Sequence, residues 1–319
     1  MYIFLCKRLL IGLISLVGIS FVLFAILALA PGDIFSELVT NPAIPADVIA
    51  RLREQLGLDS PIHVRYARWL VAMLQGDWGY SYVSRVDVWS LIVQRVPTTL
   101  FIVGVAQVVG LAIALPVGVY SAARPYSLFD KLASTLAFVG FSLPTFFTGL
   151  LFILLFSVQL NWLPFIYRTN VEGEGWRWAW EMFRQSVMPI SVIGLALGAA
   201  WTRYVRSAVL EVIRLDHVTT ARAKGLPERT VVLKHVLRNA LIPVVTLVAL
   251  EMPAVFGGAI VTEQIFRVPG VGSLLIASLV ANDTPVVMAV TFVIAALVVI
   301  FNFLADLLYG VLDPRITYE

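Results

Sequence analysis

The reactive side chains of this sequence form no constellation suited to catalysis or to binding a metal ion. His63, His217 and His235 lack metal-ligand spacing, and the single cysteine, Cys6, excludes an intrachain disulfide and a cysteine-based metal site. The sequence contains no Gly-x4-Gly-Lys-Ser/Thr phosphate-binding loop. We therefore expect a protein that is not an enzyme and that binds no metal ion or other cofactor by itself.

The polar segment 203–240 is instead typical of a surface that binds another protein. Asp216 is placed to cap a helix of about two turns over 217–224, and Gly225 fits the left-handed position that ends such a helix. The Pro-Glu pair at 227–228 suits the first turn of a second helix. Because so short a helix has little core of its own, we expect it to be stable mainly when a partner packs against it.

The composition indicates that these elements belong to a membrane protein. Of the 319 residues, 60% are hydrophobic and only 13% are charged, whereas about a quarter of the residues in a soluble domain are charged. The formal net charge of +3 does not indicate a nucleic-acid partner, because the basic residues lie between hydrophobic segments and not on one polar face. Membrane lipid is the expected surrounding of most of the chain.

Six apolar runs are long enough to cross a bilayer as helices. Their approximate ranges are 9–30, 97–123, 132–158, 187–212, 239–262 and 286–308. The first run could alternatively be a secretory signal, but the apolar core of such a signal has only about 7 to 15 residues. We therefore predict an all-α integral membrane protein with six transmembrane helices.

Arginine and lysine in the connections predict the orientation, since short cytoplasmic loops collect these residues. The segment 203–240 is rich in both, so we place it in the cytoplasm together with the N- and C-termini. Three parts follow from this arrangement. Residues 1–30 form the N-terminal tail and first transmembrane helix, 31–96 a small extracytoplasmic helical insertion, and 97–319 a five-helix core.

Two external features are predicted in more detail. Within the insertion, Ser60 is placed to cap a helix that opens with Pro61 and stops near Gly76. The second external connection, 159–186, is rich in tryptophan, which suits a membrane–water boundary; contact with substrate is the alternative. The tryptophans concerned are Trp162, Trp176, Trp178 and Trp180.

The polar segment also resembles that of a known family. Its run Arg203-Tyr204-x-Arg206-x4-Glu211-x4-Asp216-x2-Thr219-Thr220-Ala221-Arg222-Ala223-Lys224-Gly225-Leu226 looks like the cytoplasmic coupling loop of binding-protein-dependent ABC importers, in the form found in oligopeptide, dipeptide and nickel permeases. Thr219 and Thr220 replace the Glu and first Ala of the general Glu-Ala-Ala-x3-Gly signature, which fits the peptide branch. That branch usually has tyrosine where this chain has His217.

Further motifs extend the resemblance over nearly the whole chain. They are Pro31-Gly32-Asp33, Leu56-Gly57-Leu58-Asp59-x-Pro61, Arg65-Tyr66-x2-Trp69-Leu70, Gly76-Asp77-x-Gly79-x-Ser81, Ser142-Leu143-Pro144-x-Phe146, Glu263-x2-Phe266-x2-Pro269-Gly270-x-Gly272 and Asp313-Pro314-Arg315. The large first external region resembles that of the B-type permease of this family.

The resemblance implies the type I ABC importer permease fold and a set of partners in a bacterial inner membrane. These are a homologous C-type permease subunit, two cytoplasmic ABC ATPase subunits that bind ATP and Mg, and an extracytoplasmic substrate-binding protein. Within the family the cargo could be a dipeptide, an oligopeptide, glutathione or nickel. The alternative from another class of transport protein is a self-sufficient secondary transporter or channel. Paired acidic residues in mid-membrane would support it, and this sequence offers only Glu251.

The resemblance also assigns roles to particular residues. ATPase coupling falls on Asp216, Thr219, Thr220, Ala221, Arg222, Ala223, Lys224, Gly225 and Leu226. The substrate pathway or gate is predicted at Ser142, Pro144, Phe146, Glu251 and Pro253, the last two because an acidic residue and a proline lie within the fifth span. For Glu251, a structural pairing with a neighbouring helix is an equal alternative, and the two prolines could serve packing as well as gating. Glu263 and Arg267, near the external end of the fifth span, are candidates for contact with the binding protein, and a solvated loop end is an equal alternative.

Overall fold

The computed structural model describes residues 2–29, 60–168 and 175–312. Within these ranges the chain is helical and has no β-strand; one isolated bridge joins Tyr80 and Asp87. The helices are α1 (Tyr2–Leu29), α2 (Ile62–Leu74), α3 (Val88–Ala123), α4 (Leu128–Ser142), α5 (Thr145–Phe152), α6 (Trp176–Val212), α7 (Asp216–Ala223), α8 (Glu228–Thr230), α9 (Leu237–Phe266), α10 (Val271–Val280) and α11 (Thr284–Leu312). Two π-helical turns, Ile153–Gln159 and Val231–Val236, continue α5 and precede α9.

Several of these helices are long and apolar enough to cross a membrane. They are Cys6–Leu29, Val88–Ala123, Trp176–Val212, Glu228–Met252 and Thr284–Leu307. Two bent pairs, Leu128–Ser142 with Thr145–Gln159 and Val255–Phe266 with Val271–Val280, raise the number to as many as seven if each counts as one span. The predicted all-α membrane fold is thus confirmed, and each of the six predicted ranges overlaps one or two of these helices.

The predicted third span, 132–158, is broken near its middle. Helices α4 and α5 meet at an angle of 101°, and the sign of this break in the sequence is Pro144 within the apolar run. Leu143 adopts an extended conformation with a ψ of 128°, and Pro144 starts α5 as its N-cap. The proline ring disfavours helical geometry at the preceding residue, so the helix ends there and begins again in a new direction.

The described part of the chain forms two compact units. One contains Pro97–Ser273, and the other contains Cys6–Val96 with Leu274–Val299. In the first unit, glycines allow α3 and α6 to approach closely. A Cβ atom on Gly118 would lie 2.8 Å from Val205 Cβ, and one on Gly194 would lie 2.9 Å from a methyl group of Val109. Neither position has room for a larger side chain.

The second unit contains a buried carboxylate that orders the Gly-Asp-x-Gly-x-Ser motif. Asp283 is buried and accepts hydrogen bonds from the Ser81 hydroxyl and, at 3.1 Å, from the Tyr82 amide. In the same unit the hydroxyls of Ser20 and Tyr66 lie 2.8 Å apart and join α1 to α2. These contacts give the unit a polar framework among its aromatic side chains.

The start of α2 corrects one expectation about the insertion. Ser60 was predicted to cap this helix, but the N-cap of α2 is Pro61. The Ser60 hydroxyl instead accepts a 3.4 Å hydrogen bond from Arg68. The helix ends at Leu74, and Gly76 follows with a φ of 93°, as expected for its stop. The motifs at 31–33 and 56–59 and the closing motif at 313–315 lie outside the described residues.

Helix α6 begins 11 residues before the predicted span, at Trp176 instead of Val187. Three of the four tryptophans predicted in the preceding connection therefore lie on the first turns of the helix, whereas Trp162 lies before it. Trp180 stacks on Trp176 with ring centroids 6.5 Å apart, and on Phe183 at 5.6 Å. All three rings are exposed, and their assignment to a membrane boundary stays a prediction.

Candidate coupling site

The short helix predicted in the polar segment is present as α7, but its cap differs from the prediction. Leu215, in an extended conformation, is the N-cap, and no side chain caps the helix. Asp216 is instead the first helical residue, where its carboxylate lies near the positive end of the helix dipole. The hydroxyl of Thr220 donates a 2.8 Å hydrogen bond to the Asp216 carbonyl. Asp216 therefore favours the helix start by charge and not by capping.

The two faces of α7 have opposite environments. Val218 is fully buried and Ala221 is 4% exposed. Both pack in one hydrophobic cluster with residues of α6, of the π-helical turn before α9 and of α9, among them Val209, Val231 and Val236. The expectation that this helix has little core of its own was thus wrong, because its inner face is covered by its own chain.

The outer face of α7 and the corner after it are exposed. Of the predicted coupling residues, Ala221 alone is buried, and its role in the structure is packing. The remaining eight are exposed: Asp216, Thr219, Thr220, Arg222, Ala223, Lys224, Gly225 and Leu226. The outer face is therefore an exposed polar surface over a hydrophobic cluster, and its role in docking an ATPase stays a prediction.

The corner between α7 and α8 has the predicted geometry. Lys224 is the C-cap of α7, and Gly225 has a φ of 77°, which confirms the left-handed position. The Arg222 guanidinium spans the corner and donates hydrogen bonds of 3.1 and 2.6 Å to the two carboxylate oxygens of Glu228. These bonds raise the pKa of Arg222 and fix the angle between the two helices.

A second contact holds the other end of α7. His217 Nε2 lies 3.3 Å from the carbonyl oxygen of His235 and 3.3 Å from the Asn239 side-chain nitrogen. His235 and Asn239 belong to the π-helical turn and the start of α9. Helix α7 is therefore attached at both ends to the chain that leads into α9.

An ion pair that sequence reasoning missed joins α6 to α4. Arg206 donates hydrogen bonds of 2.6 and 2.8 Å to the two oxygens of Asp130, whose side chain is buried. The Tyr126 amide donates to the same carboxylate at 2.8 Å. The signal available in the sequence was an acidic residue at the edge of an apolar run, where an isolated charge is costly.

The predicted pathway residues fall into two groups. Ser142, Pro144 and Phe146 lie together at the bend between α4 and α5, and the Phe146 ring is exposed. The Ser142 hydroxyl donates to the Phe138 carbonyl at 2.8 Å. Pro253 lies within α9. The assignment of these residues to a pathway stays a prediction.

Glu251, on α9, has a partner in the described structure. Trp201 Nε1 on α6 donates a 2.5 Å hydrogen bond to its carboxylate. Trp201 is fully buried, whereas Glu251 is half-buried. The hydrogen bond supports the structural alternative for Glu251, and its assignment to the pathway stays a prediction.

Glu263 and Arg267 differ sharply in exposure. Arg267 ends α9 in a left-handed conformation with a φ of 51° and is exposed. Glu263 is 2% exposed, and a carboxylate so deeply buried does not face an external protein. The structure therefore does not support the expected contact of Glu263 with a binding protein, while contact through Arg267 stays a prediction.

The Glu263 carboxylate instead joins the start of α10 to α9 and α3. It accepts hydrogen bonds from the Thr99 hydroxyl at 2.6 Å and from the Ser273 amide at 2.9 Å. Thr99 in turn accepts a 2.9 Å hydrogen bond from the Val271 amide. A Cβ atom on Gly272 would lie 2.7 Å from Ile260 Cα and 2.9 Å from a Glu263 oxygen. The Glu-x2-Phe-x2-Pro-Gly-x-Gly motif is thus a close-packed structural link.

Replacing Gly272 with alanine is expected to destabilise this link by about 2 kcal/mol, because overpacking against backbone atoms forces the two helices apart. Thermal unfolding of the purified chain in detergent measures the effect. Gly257→Ala is the matched control, since Gly257 lies in α9 with no atom within 4 Å of an added Cβ. Equal unfolding temperatures for Gly272→Ala and Gly257→Ala would contradict close packing of Gly272 against Ile260 and Glu263.

Comparison with known families agrees with this geometry. Residues 114–318 match the family model of the binding-protein-dependent transport system inner membrane component. Residues 1–103 match the model of the N-terminal part of such membrane components. The chain belongs to this family. It is accordingly an integral membrane protein that works with other components of an ABC transport system.

Curated relatives of this permease match over almost its full length. The oligopeptide transport system permease protein AppB of Bacillus subtilis is 40% identical over 99% of both chains. The dipeptide transport system permease protein DppB of Escherichia coli is 35% identical over 99% of both. The glutathione transport system permease protein GsiC of Salmonella typhimurium is 37% identical over 98% of both. The predicted resemblance to B-type permeases is confirmed.

Solved structures show the same fold at lower identity. The MetNI methionine ABC transporter, in inward-facing conformations, gives a TM-score of 0.55 at 19% identity, over 70% of this chain and 96% of that chain. An amino acid ABC transporter crystallised with histidines gives 0.52 at 14% identity, over 75% and 100%. The permease therefore shares the fold of ABC transporter membrane subunits.

Proposed function

We propose that this permease imports short peptides, as one of two homologous membrane subunits in a binding-protein-dependent ABC importer. The names of the relatives support the substrate class, because oligopeptides, dipeptides and the tripeptide glutathione are all short peptides. The single observation that carries the mechanism is α7, a short helix with an exposed outer face and a buried inner face.

In this proposal α7 docks into a cytoplasmic ATPase and transmits its motion. Two ATPase subunits bind and hydrolyse ATP with Mg, and this chain performs no chemistry on the nucleotide. When the ATPases close, α7 moves with α9, to which His217 and the Arg222–Glu228 pair attach it. The cluster around Val218 carries the displacement to α6. The membrane helices then move as packed units, which alternates access to the pathway.

The bend at Pro144 and the carboxylate of Glu251 are the proposed parts of that pathway. The bend of 101° is proposed to lie at membrane depth, where non-helical backbone is tolerated when it is buried in protein or lines a cavity. Glu251 can attract the amino group of a peptide while Trp201 holds its second oxygen. The C-type permease would supply the other half of the pathway.

The proposed orientation places α7 and both termini in the cytoplasm of a bacterial cell. The external side then carries Arg267 at the end of α9, where the exposed guanidinium is available to the substrate-binding protein. The positive charges of the segment 203–240 support this orientation, because arginine and lysine collect on the cytoplasmic side.

Reconstitution of the transporter tests the proposal. The chain is co-expressed with the genes beside its own, purified, and placed in liposomes with its binding protein. We expect an ATPase and a second permease to co-purify, and peptide-loaded binding protein to stimulate ATP hydrolysis. A dipeptide, a longer peptide, glutathione and a nickel chelate are compared as cargo. Uptake by this chain alone, driven by an ion gradient without ATP, would support the secondary-transporter alternative and overturn the proposal.

A further inference from the structure

An open apolar groove of 580 Å³ lies between the end of α3 and the chain that leads into α9. Its walls are aliphatic and include Pro116, Val119, Val232 and Leu237. Leu233, also in its lining, is 52% exposed. Such a surface at the end of membrane-spanning helices has the volume and the apolar lining to take an acyl chain.

The groove lining also carries positive charge. Arg124, which follows α3, and Arg229, in α8, both contribute to the lining. The part of the chain that the structure describes gives neither arginine a carboxylate partner; Arg124 contacts the Tyr120 hydroxyl at 3.0 Å. Glu228 also lines the groove, but its carboxylate is taken up by Arg222. The net charge of the lining is therefore positive.

The groove lies at the same end of the unit as α7, because Glu228 in its lining pairs with Arg222 of α7. We infer that the groove binds one anionic phospholipid, with its phosphate between Arg124 and Arg229 and one acyl chain along Val119, Val232 and Leu237. Basic pockets beside membrane helices on the cytoplasmic side recognise anionic headgroups in this way. The bound lipid would pack against the chain that connects α7 to α9 and would stiffen it.

Lipid retention tests the charge requirement without using transport activity. The full-length chain is purified in mild detergent, titrated with phosphatidylglycerol or phosphatidylcholine, and measured by native mass spectrometry. We expect Arg124→Ala with Arg229→Ala to weaken phosphatidylglycerol binding about 30-fold, at about 1 kcal/mol for each basic residue. Phosphatidylcholine binding should change little.

Lys131→Ala with Lys234→Ala is the matched control, since it removes the same charge from exposed residues outside the groove lining. An equal loss of phosphatidylglycerol in both double variants would overturn the inference, because it would reflect general surface charge. A photoreactive benzophenone side chain at Leu233, activated in membranes that contain all subunits, identifies the occupant. A phospholipid adduct is expected, and an adduct with a protein subunit would overturn the inference.

Discussion

Replacing Gly225 with arginine is expected to abolish ATP-driven uptake while the chain still reaches the membrane. Gly225 forms the exposed corner after α7, and no atom lies within 4 Å of an added Cβ, so the fold tolerates the substitution. The left-handed backbone would cost about 1–2 kcal/mol. A bulky charge at the docking corner should lower uptake roughly a hundredfold, which is typical of losing a central interface contact, while ATP hydrolysis continues without transport.

Gly175→Arg is the control for backbone strain. Gly175 also has a positive φ, of 62°, and open space around it, but it precedes α6 in the connection predicted to be external. Its replacement should leave uptake close to normal. Uptake and ATP hydrolysis are measured in the same proteoliposomes, with membrane abundance as a check. Normal uptake by Gly225→Arg would contradict a docking role for α7.

Removing the guanidinium of Arg206 is expected to destabilise the permease by about 3 kcal/mol. Arg206→Ala leaves the Asp130 carboxylate, which is 3% exposed, without its cationic partner. The Tyr126 amide and the Ser134 hydroxyl, at 2.8 and 3.4 Å, would be its remaining partners. The unfolding temperature in detergent should fall by roughly 6 °C.

A double-mutant cycle separates the ion pair from general packing. Asp130→Asn combined with Arg206→Gln removes both charges but keeps a hydrogen-bonding pair, so it should recover most of the lost stability. Arg222→Ala is the matched control, because its pair with Glu228 has similar geometry but lies exposed. It should cost less than about 1 kcal/mol. Additive losses from Asp130→Asn and Arg206→Gln would show that the pair does not stabilise the α4–α6 contact.

The sequence by itself determined the class of the protein, most of its helices and its family. Long apolar runs require helices in lipid, because every backbone polar group must be satisfied within the segment. The corner at Gly225 could also be predicted from the sequence, because only a few residue types adopt a positive φ without strain. These features depend on residues that are neighbours in the chain. The family was predicted from the motif over 203–226.

The tertiary structure alone decided which side chains meet. Asp130 and Arg206 are 76 positions apart, and Thr99 and Glu263 are 164 apart, so no local pattern relates them. Glu263 looked like an exposed loop residue and is buried, because α3 and α10 enclose its carboxylate. Ala221 was predicted to be a docking residue, but it packs inward. The sequence of a short polar helix does not show which of its faces the rest of the chain will cover. Sequence periodicity identifies a helix, but burial depends on partners that only the folded chain brings together.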